Sequence, residues 1–326
     1  MAHDANKVKG MVAKMKAVVT GATGFVGRWL VEELLHQKDD VTILVRDKER
    51  VPKRWEGKLH VVESSLDRAA MLHRVDFPAG DADIFFHLAW EGASGGSQRA
   101  DSKLQLKNVQ YACDMVELAR RLHCSRFVNA GSIMEYEAMQ YIPENGAVPG
   151  MGNIYSTAKL AADFMAKAAS VHAGLEYINV IISNIYGAGE YSERFFSTVL
   201  WKMVHHEKIP LTHGEQLYDF IYASDAAKAI ALAAQKGEKN TAYYIGNPTQ
   251  YPLKHFVLQM KDVLESRSEL LFGEVPFRGA MLTYKEFDTC KLGQLGFQPE
   301  IDFLKGIKLT KEWMVGEKAE NSSENL

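Results

Sequence analysis

The chain has 326 residues, 47% of them hydrophobic and 24% charged, which excludes a collagen, a coiled coil and wholesale disorder. Its net charge of −3 gives no bulk attraction to nucleic acid or an anionic membrane, and no apolar run reaches the ~18 residues of a membrane span. Cys113, Cys124 and Cys290 are too scattered for a zinc site or a disulfide framework and read as packed thiols of a reducing cytoplasm.

Residues 1–14 are polar and basic, lack the apolar core of a secretory signal, and are expected to be an unstructured leader. From Lys16 the pattern becomes regular. Ala17 to Thr20 is a β-rich run ending in glycines, and Gly27 to His36 reads as a helix with Leu30, Val31, Leu34 and Leu35 on one face. Val41–Val45, Leu59–Val62 and Asp83–Ala89 read as strands, Gln105–Leu122 as a long helix and Arg126–Ala130 as a fifth strand. Asn153–His172 is an alanine-rich helix, with Asn153 as N-cap and Gly174 as the stop, and Tyr177–Ile182 is a sixth strand.

Strands alternating with helices over this length mean βαβ units, and right-handed crossovers then give a parallel sheet covered on both faces. The fold class is therefore α/β, a doubly wound sheet whose ligands sit beyond the carboxyl ends of the strands. After Gly187 the rhythm breaks into helices near Phe195–His205, Ala226–Gln235 and Leu253–Glu265, separated by proline-bearing loops. The expected organisation is a dinucleotide domain over 15–187, returning near 215–247, and a smaller substrate lobe over most of 188–315. The final stretch, 316–326, has few apolar side chains and is expected to be an unstructured tail.

Thr20-Gly21-Ala22-Thr23-Gly24-Phe25-Val26-Gly27 joins the first strand to the first helix as G-x-x-G-x-x-G. A tight turn, a backbone open to close approach and amides at a helix start together suit a pyrophosphate. The end of the second strand selects the dinucleotide: an acidic residue there binds a ribose hydroxyl, an arginine a 2′-phosphate. Val45 stands at the acidic place and Arg46 follows, with Lys48 and Arg50 adding positive charge. This favours NADP(H) over NAD(H). Asp47 reaching the hydroxyl, or Arg46 as a mere solvated strand end, are the alternatives.

Tyr155 and Lys159 are four apart and so lie one helical turn from each other. An ammonium ~4 Å from a phenol, at an effective dielectric of ~20, favours the phenolate by up to ~4 kcal/mol. Such a pair can pass a proton to a carbonyl oxygen near neutral pH. Alone it is as readily a surface pair, but Ser132 closes the fifth strand and points a hydroxyl to the same crevice. His87 reads as a satisfied strand-end histidine, and His205, His206 and His213 as surface residues without metal partners.

With these motifs the chain resembles an extended short-chain dehydrogenase/reductase of the nucleotide-sugar epimerase/dehydratase/reductase branch, from Lys16 to about Trp313. The residues that carry the resemblance are TGATGFVG (20–27), FHLAW (86–90), Asn108, NAGSIMEY (129–136), YSTAK (155–159), SNIYGAG (183–189), YDFIYASD (218–225) and LGFQP (295–299). The resemblance implies a Rossmann fold with a substrate-binding lobe and a catalytic triad of Ser132, Tyr155 and Lys159. It implies cofactor contacts from Gly21, Thr23, Gly24, Phe25, Val26, Gly27, Arg46, Ser65, Leu66, Leu88, Ala89, Asn108, Tyr155, Lys159, Ile182 and Ser183. Trp90, Met134, Asn184 and Arg278 fall on the substrate side, and no residue on a metal.

Departures from the family narrow the function. The 4,6-dehydratases carry an Asp-Glu pair after the residue matching Ser132; here Ile133 and Met134 stand there, and Glu135, one place on, is expected to point elsewhere. Tyr218 replaces a phosphate-binding arginine of the family, while Arg278 matches a second one. The leading expectation is an NADPH-dependent reductase of the 4-keto group of a nucleotide-linked 6-deoxy sugar. The alternatives are an NAD-dependent nucleotide-sugar 4-epimerase, a reductase of a non-sugar ketone, and a catalytically silent NADP-binding protein. A cytoplasmic homodimer is expected, built on the helices from Gln105 and Asn153, with Met115, Leu118, Leu122, Met165 and Ala169 as interface or core.

Overall fold

The computed structural model describes residues 14–93, 96–141, 149–277, 282, 284 and 287–323. Its first half alternates as the hydrophobic pattern requires: β1 (Lys16–Thr20), α1 (Phe25–His36), β2 (Asp40–Val45), β3 (His60–Glu63), α2 (Leu66–Ala69), β4 (Ile84–His87), α3 (Ser102–Arg121), β5 (Arg126–Ser132), α4 (Met134–Tyr141), α5 (Asn153–His172) and β6 (Glu176–Ile182). The second half is finer grained, with β7 (Ile185–Tyr186), α6 (Phe195–Val204), β8 (Ile209–Leu211), β9 (Leu217–Tyr218), β10 (Ile221–Tyr222), α7 (Ala223–Lys236) and β11 (Thr241–Ile245). It ends with β12 (Tyr251–Pro252), α8 (Leu253–Val263), β13 (Leu270–Phe272), α9 (Lys291–Gln294) and α10 (Phe303–Ser323).

Seven parallel strands form one sheet in the order β11-β6-β5-β4-β1-β2-β3. The chain runs outward from β1 through β2 to β3, then returns to β4 on the other side of β1. That reversal opens the crevice in which such sheets hold ligands.

Because successive strand side chains face opposite ways, each strand feeds two cores. Ala17 and Val19 pack with α1 and α7, whereas Val18 packs with α2, α3 and α5. Phe127 and Tyr177 face the α3–α5 layer, and Val128, Ile178 and Val180 the α1–α7 layer. A third cluster, built on Phe196, Leu200, Phe220, Phe256 and Ile307, joins α6, α8 and α10 over the carboxyl end of β7 and β10.

Some local expectations change. Asn153 is the first helical residue of α5 and not its N-cap, which is Gly152; its Oδ1 accepts the Gly150 N–H at 2.7 Å instead. The expected unstructured tail from Gly316 is helical as far as Ser323, because Ile307 and Thr310 are buried and anchor the first half of α10, from which a nucleated helix propagates at little cost. The leader falls largely outside the described residues. Met115, Leu118 and Leu122 belong to the core, while Met165 is exposed beside Phe164. Among the described residues, no helix is long and apolar enough to cross a membrane.

Candidate active site

The loop between β1 and α1 is shaped by its glycines. Gly21 has φ +72°, and a Cβ on Gly27 would lie 2.1 Å from the Gly21 carbonyl oxygen, so the turn closes on itself only without side chains. Helix α1 then begins at Phe25, after Gly24 as N-cap, with no side chain capping it and no acidic residue in its first turn. Open amides at the positive end of a helix dipole fit a pyrophosphate, which is what a dinucleotide brings.

Next to this loop is a cleft of about 620 Å³, lined on the sheet side by Gly21, Gly24, Phe25, Val26, Gly27 and Leu88. β5, α4 and α5 bring Ser132, Met134, Tyr155 and Lys159 to the same cleft, and Trp90, Ile182, Ser183 and Asn184 complete the wall. Residues separated by more than 100 positions thus converge where the sheet reverses. Ile133 also lines it, so both places that follow Ser132 carry aliphatic side chains.

Tyr155 is 5% exposed and is held on two sides. Trp90 meets its ring edge-on at 6.1 Å between centroids, and the Arg99 guanidinium carbon sits 4.2 Å over its face. Lys159 lies 3.7 Å from the Trp90 ring and donates to the Ala130 carbonyl at 2.7 Å. Ser132 Oγ accepts the Met134 N–H at 3.2 Å, which orients the hydroxyl at the strand end. Burial pushes Lys159 below the usual ammonium range, opposed by the carboxylate of Glu135.

The far wall hangs on one buried carboxylate. Asp219 accepts from Ser183 Oγ (2.9 Å), Tyr244 Oη (2.8 Å) and the Asn247 amide (2.7 Å), with Asn184 and Tyr284 at 3.4 Å. It ties the end of β6, β11 and Tyr284 together. Burial pushes its carboxyl upward, and these donors resist that.

Six of the expected cofactor residues do not line the cleft. Asn108 is buried and clamps the Glu91 backbone, donating to its carbonyl and accepting its N–H, both at 2.9 Å. Ala89 donates its N–H to Thr20 Oγ1 at 3.3 Å, Ser65 heads α2, and Leu66 packs into the α3–α5 core. Thr23, half-buried, does not enter the cleft wall.

Arg46 follows β2, its side chain 67% exposed, and pairs with Glu91 at 3.1 Å. Asp47 caps the turn Lys48–Arg50, its Oδ1 accepting the Glu49 N–H at 2.9 Å. Arg278 lies outside the described residues. His87 is buried, bonded to Thr20 Oγ1 at 2.9 Å through Nδ1, as a strand-bridging histidine.

Several cleft residues escaped the sequence reading: Arg99, Glu137, Glu190 and Arg194. Arg99 lies in an aperiodic stretch and Glu137 on a helix that no pattern announced. Glu135, expected to point elsewhere, does turn away from the cleft. It is not idle, because it accepts the Ser132 N–H at 2.7 Å from behind. Among the described residues, no cluster of side chains could hold a metal ion.

A model of the NAD dependent epimerase/dehydratase family matches residues 17–246. A CDP-abequose synthase of Salmonella typhimurium is 22% identical, over 90% of this chain and 97% of its own. A putative UDP-glucose 4-epimerase of Methanocaldococcus jannaschii is 26% identical, over 91% and 97%. A dTDP-glucose 4,6-dehydratase of Actinoplanes is 25% identical, over 92% and 97%.

Among solved structures, the UDP-glucose 4-epimerase of Thermotoga maritima has a TM-score of 0.76 at 19% identity, covering 93% of this chain and 99% of that one. WbmF of Bordetella bronchiseptica, solved with NADH, has a TM-score of 0.74 at 21% identity, over 94% of both. Likeness at that identity speaks for the fold alone. The family match spans the glycine loop, the strand that ends in Ser132 and the helix of Tyr155 and Lys159, and on that ground the chain belongs to the NAD dependent epimerase/dehydratase family of enzymes.

Proposed function

We propose that the protein is an NADPH-dependent reductase of the 4-keto group of a nucleotide-linked 6-deoxy sugar. The observation that carries this reading is the convergence of Ser132, Tyr155 and Lys159 on one cleft whose next two wall positions, Ile133 and Met134, are aliphatic. An aliphatic pair cannot act as the acid and base that removal of water needs. Ketone reduction needs only a donor for the oxygen.

The uncapped start of α1 at Phe25, Val26 and Gly27 would hold the dinucleotide, with Lys159 at its nicotinamide ribose. When bound, it supplies the hydride. Ser132 Oγ donates to the substrate carbonyl and fixes its direction. Tyr155 passes its phenolic proton to the same oxygen, and the ammonium of Lys159 with the guanidinium of Arg99 offsets the charge left on the ring. Trp90 and Arg99 close the phenol off from bulk water.

NADPH is supported over NADH by Arg46, whose exposed guanidinium stands after β2, and by Asp47, whose carboxylate is engaged in its own turn. On the substrate side, Asn184, Gln216 and Arg194 offer donors to a diphosphate. A nucleotide-sugar 4-epimerase is the second reading, favoured by the epimerases among the similar proteins. Pairing of α3 and α5 across a two-fold axis is proposed for the dimer, because Leu106, Phe164 and Met165 are exposed on these helices.

The test is oxidation of NADPH, against NADH, with a panel of nucleotide-linked 4-keto-6-deoxyhexoses. Turnover is expected with NADPH and should fall ~10²- to 10⁴-fold in Tyr155→Phe, with dinucleotide binding retained. Purified protein that carries NAD and interconverts 4-hydroxyl epimers would instead establish the epimerase.

A further inference from the structure

Lys159 is 5% exposed, yet among the described residues no carboxylate forms an ion pair with it. Two groups meet its ammonium: the Ala130 carbonyl at 2.7 Å, and the ring of Trp90, whose centroid lies 3.7 Å from Nζ. A buried cation is unfavourable unless other groups replace its water, and an indole face does so better than the other aromatic rings. The same indole stands edge-on to Tyr155, with 6.1 Å between centroids and 81° between planes. One side chain thus meets both members of the pair.

Trp90 is itself fixed by α3. Its Nε1 donates to Gln105 Oε1 at 2.9 Å, and Gln105, fully buried, donates in turn from Nε2 to the Gln98 carbonyl at 2.9 Å. Asn108, one turn further along α3, holds the backbone of the next residue, Glu91, by both its N–H and its carbonyl. Gly92 then turns with φ +72°, and a Cβ there would lie 2.9 Å from Gln98 Cβ and 3.2 Å from Gln105 Nε2, so the chain closes tightly on α3. The direction of the indole is therefore set from behind, by the helix, and its face is delivered onto Lys159.

We propose that Trp90 is a positioning residue: its indole face and the Ala130 carbonyl together fix the head of Lys159, so that its remaining N–H is aimed into the cleft, at the ribose of the dinucleotide. This rests on the reading of Lys159 as the residue that grips that ribose. An ammonium carries three N–H donors on a flexible four-carbon stem. One contact leaves such a head free to swing, whereas two leave a single donor to direct. Lys159 and Trp90 both line the cleft, so the donor that is left over faces the place where a dinucleotide lies.

The test keeps the full chain and alters the electrons of the ring while nearly keeping its size. Monofluoro-, difluoro- and tetrafluoro-tryptophan are placed at position 90 by nonsense suppression, and the Kd for NADPH and for NADH is read by nucleotide fluorescence. Each fluorine drains the ring face and weakens its hold on an ammonium, so both constants are expected to rise step by step along the series, by ~2- to 30-fold in all. In keto-sugar reduction kcat should fall in the same order, while the KM for the sugar stays within about twofold. A Kd that is level along the series, within about 1.5-fold, overturns the proposal, because an indole that only fills space serves equally well throughout.

The single fluorine of the monofluoro chain also reports the contact without any ligand. It should show a nuclear Overhauser contact to the Cε protons of a lysine that is lost in Lys159→Met; no such contact in the folded chain overturns the proposal. Should the wild-type chain turn over no keto sugar, the reading of the reaction fails, and the Kd series still decides the role of Trp90. Turnover together with a level series leaves that reading standing and removes Trp90 alone.

Discussion

Arg46 is the residue proposed to select the cofactor, and its surroundings set the size of that effect. It follows β2, and Glu91 follows β4; since both strands flank β1, the pair reaches over the carboxyl end of β1 beside the glycine loop. Both side chains are largely solvated, 67% and 42% exposed, so their attraction at 3.1 Å is worth only ~0–1 kcal/mol. A 2′-phosphate gripped by the same guanidinium in charge-assisted hydrogen bonds contributes ~1.5–3 kcal/mol.

Exchange of one partner for the other therefore leaves about 0.5–3 kcal/mol, or ~2- to 140-fold in affinity. In Arg46→Ala, the Kd for NADPH should rise by that factor, while the Kd for NADH should change by no more than about twofold. Glu91→Gln, which frees Arg46, should tighten NADPH by up to ~5-fold. Direct titration by nucleotide fluorescence reads both constants without any substrate. Equal weakening of the two dinucleotides in Arg46→Ala, or tighter binding of NADH by the wild-type chain, would refute the assignment and favour the epimerase.

Acid should weaken the fold through His87, which burial first and the charge of Lys159 second hold down to about 3 against an ordinary 6.5. The unfolded chain takes up a proton there below pH ~6.5 and the folded chain does not, so stability that is full above that pH is lost as it falls toward 3, at up to ~1.4 kcal/mol per unit. Urea unfolding between pH 4.5 and 6.5 should show a flatter slope in His87→Asn; parallel curves would exclude the cause.

Asp219→Ala strands the buried donors of Ser183, Tyr244 and Asn247, at ~1–2 kcal/mol each, and should cost about 3–6 kcal/mol in unfolding free energy. A loss below ~1 kcal/mol would mean that water replaces the carboxylate. Phe164→Glu with Leu106→Glu, both exposed, should turn a dimer into monomers in sedimentation while leaving the melting of the monomer fold within a few degrees; unchanged sedimentation as a dimer would remove α3 and α5 as the interface.

Much of the site was legible in the chain before its folding was known, because local sequence carries local physics. Gly21, Gly24 and Gly27 between an apolar run and an amphipathic helix already specify a tight turn onto a helix start with open amides, and the spacing of Tyr155 and Lys159 already specifies a shared helical face. Asn129 and Asn179, inside apolar strands, form a buried hydrogen bond that no local pattern announces, because each looks like a single exception until β5 and β6 are paired in register. Glu135 was read by its place in a motif, which tells its distance along the chain and nothing of what lies behind the strand.

From the sequence alone came the parallel α/β sheet, the glycine cradle, the serine, tyrosine and lysine, and the two aliphatic residues after Ser132. These depend on periodicity and near neighbours, which a linear chain displays. Only the tertiary structure decided that Arg99 covers Tyr155, that Asn108 serves a loop and not the cleft wall, that Asp219 anchors the far wall, and that Glu135 faces the Ser132 amide. Each of these is a contact between segments far apart in sequence or hidden by the turn that joins them. Such contacts are set by the packing of a whole core and leave no periodic trace in the chain.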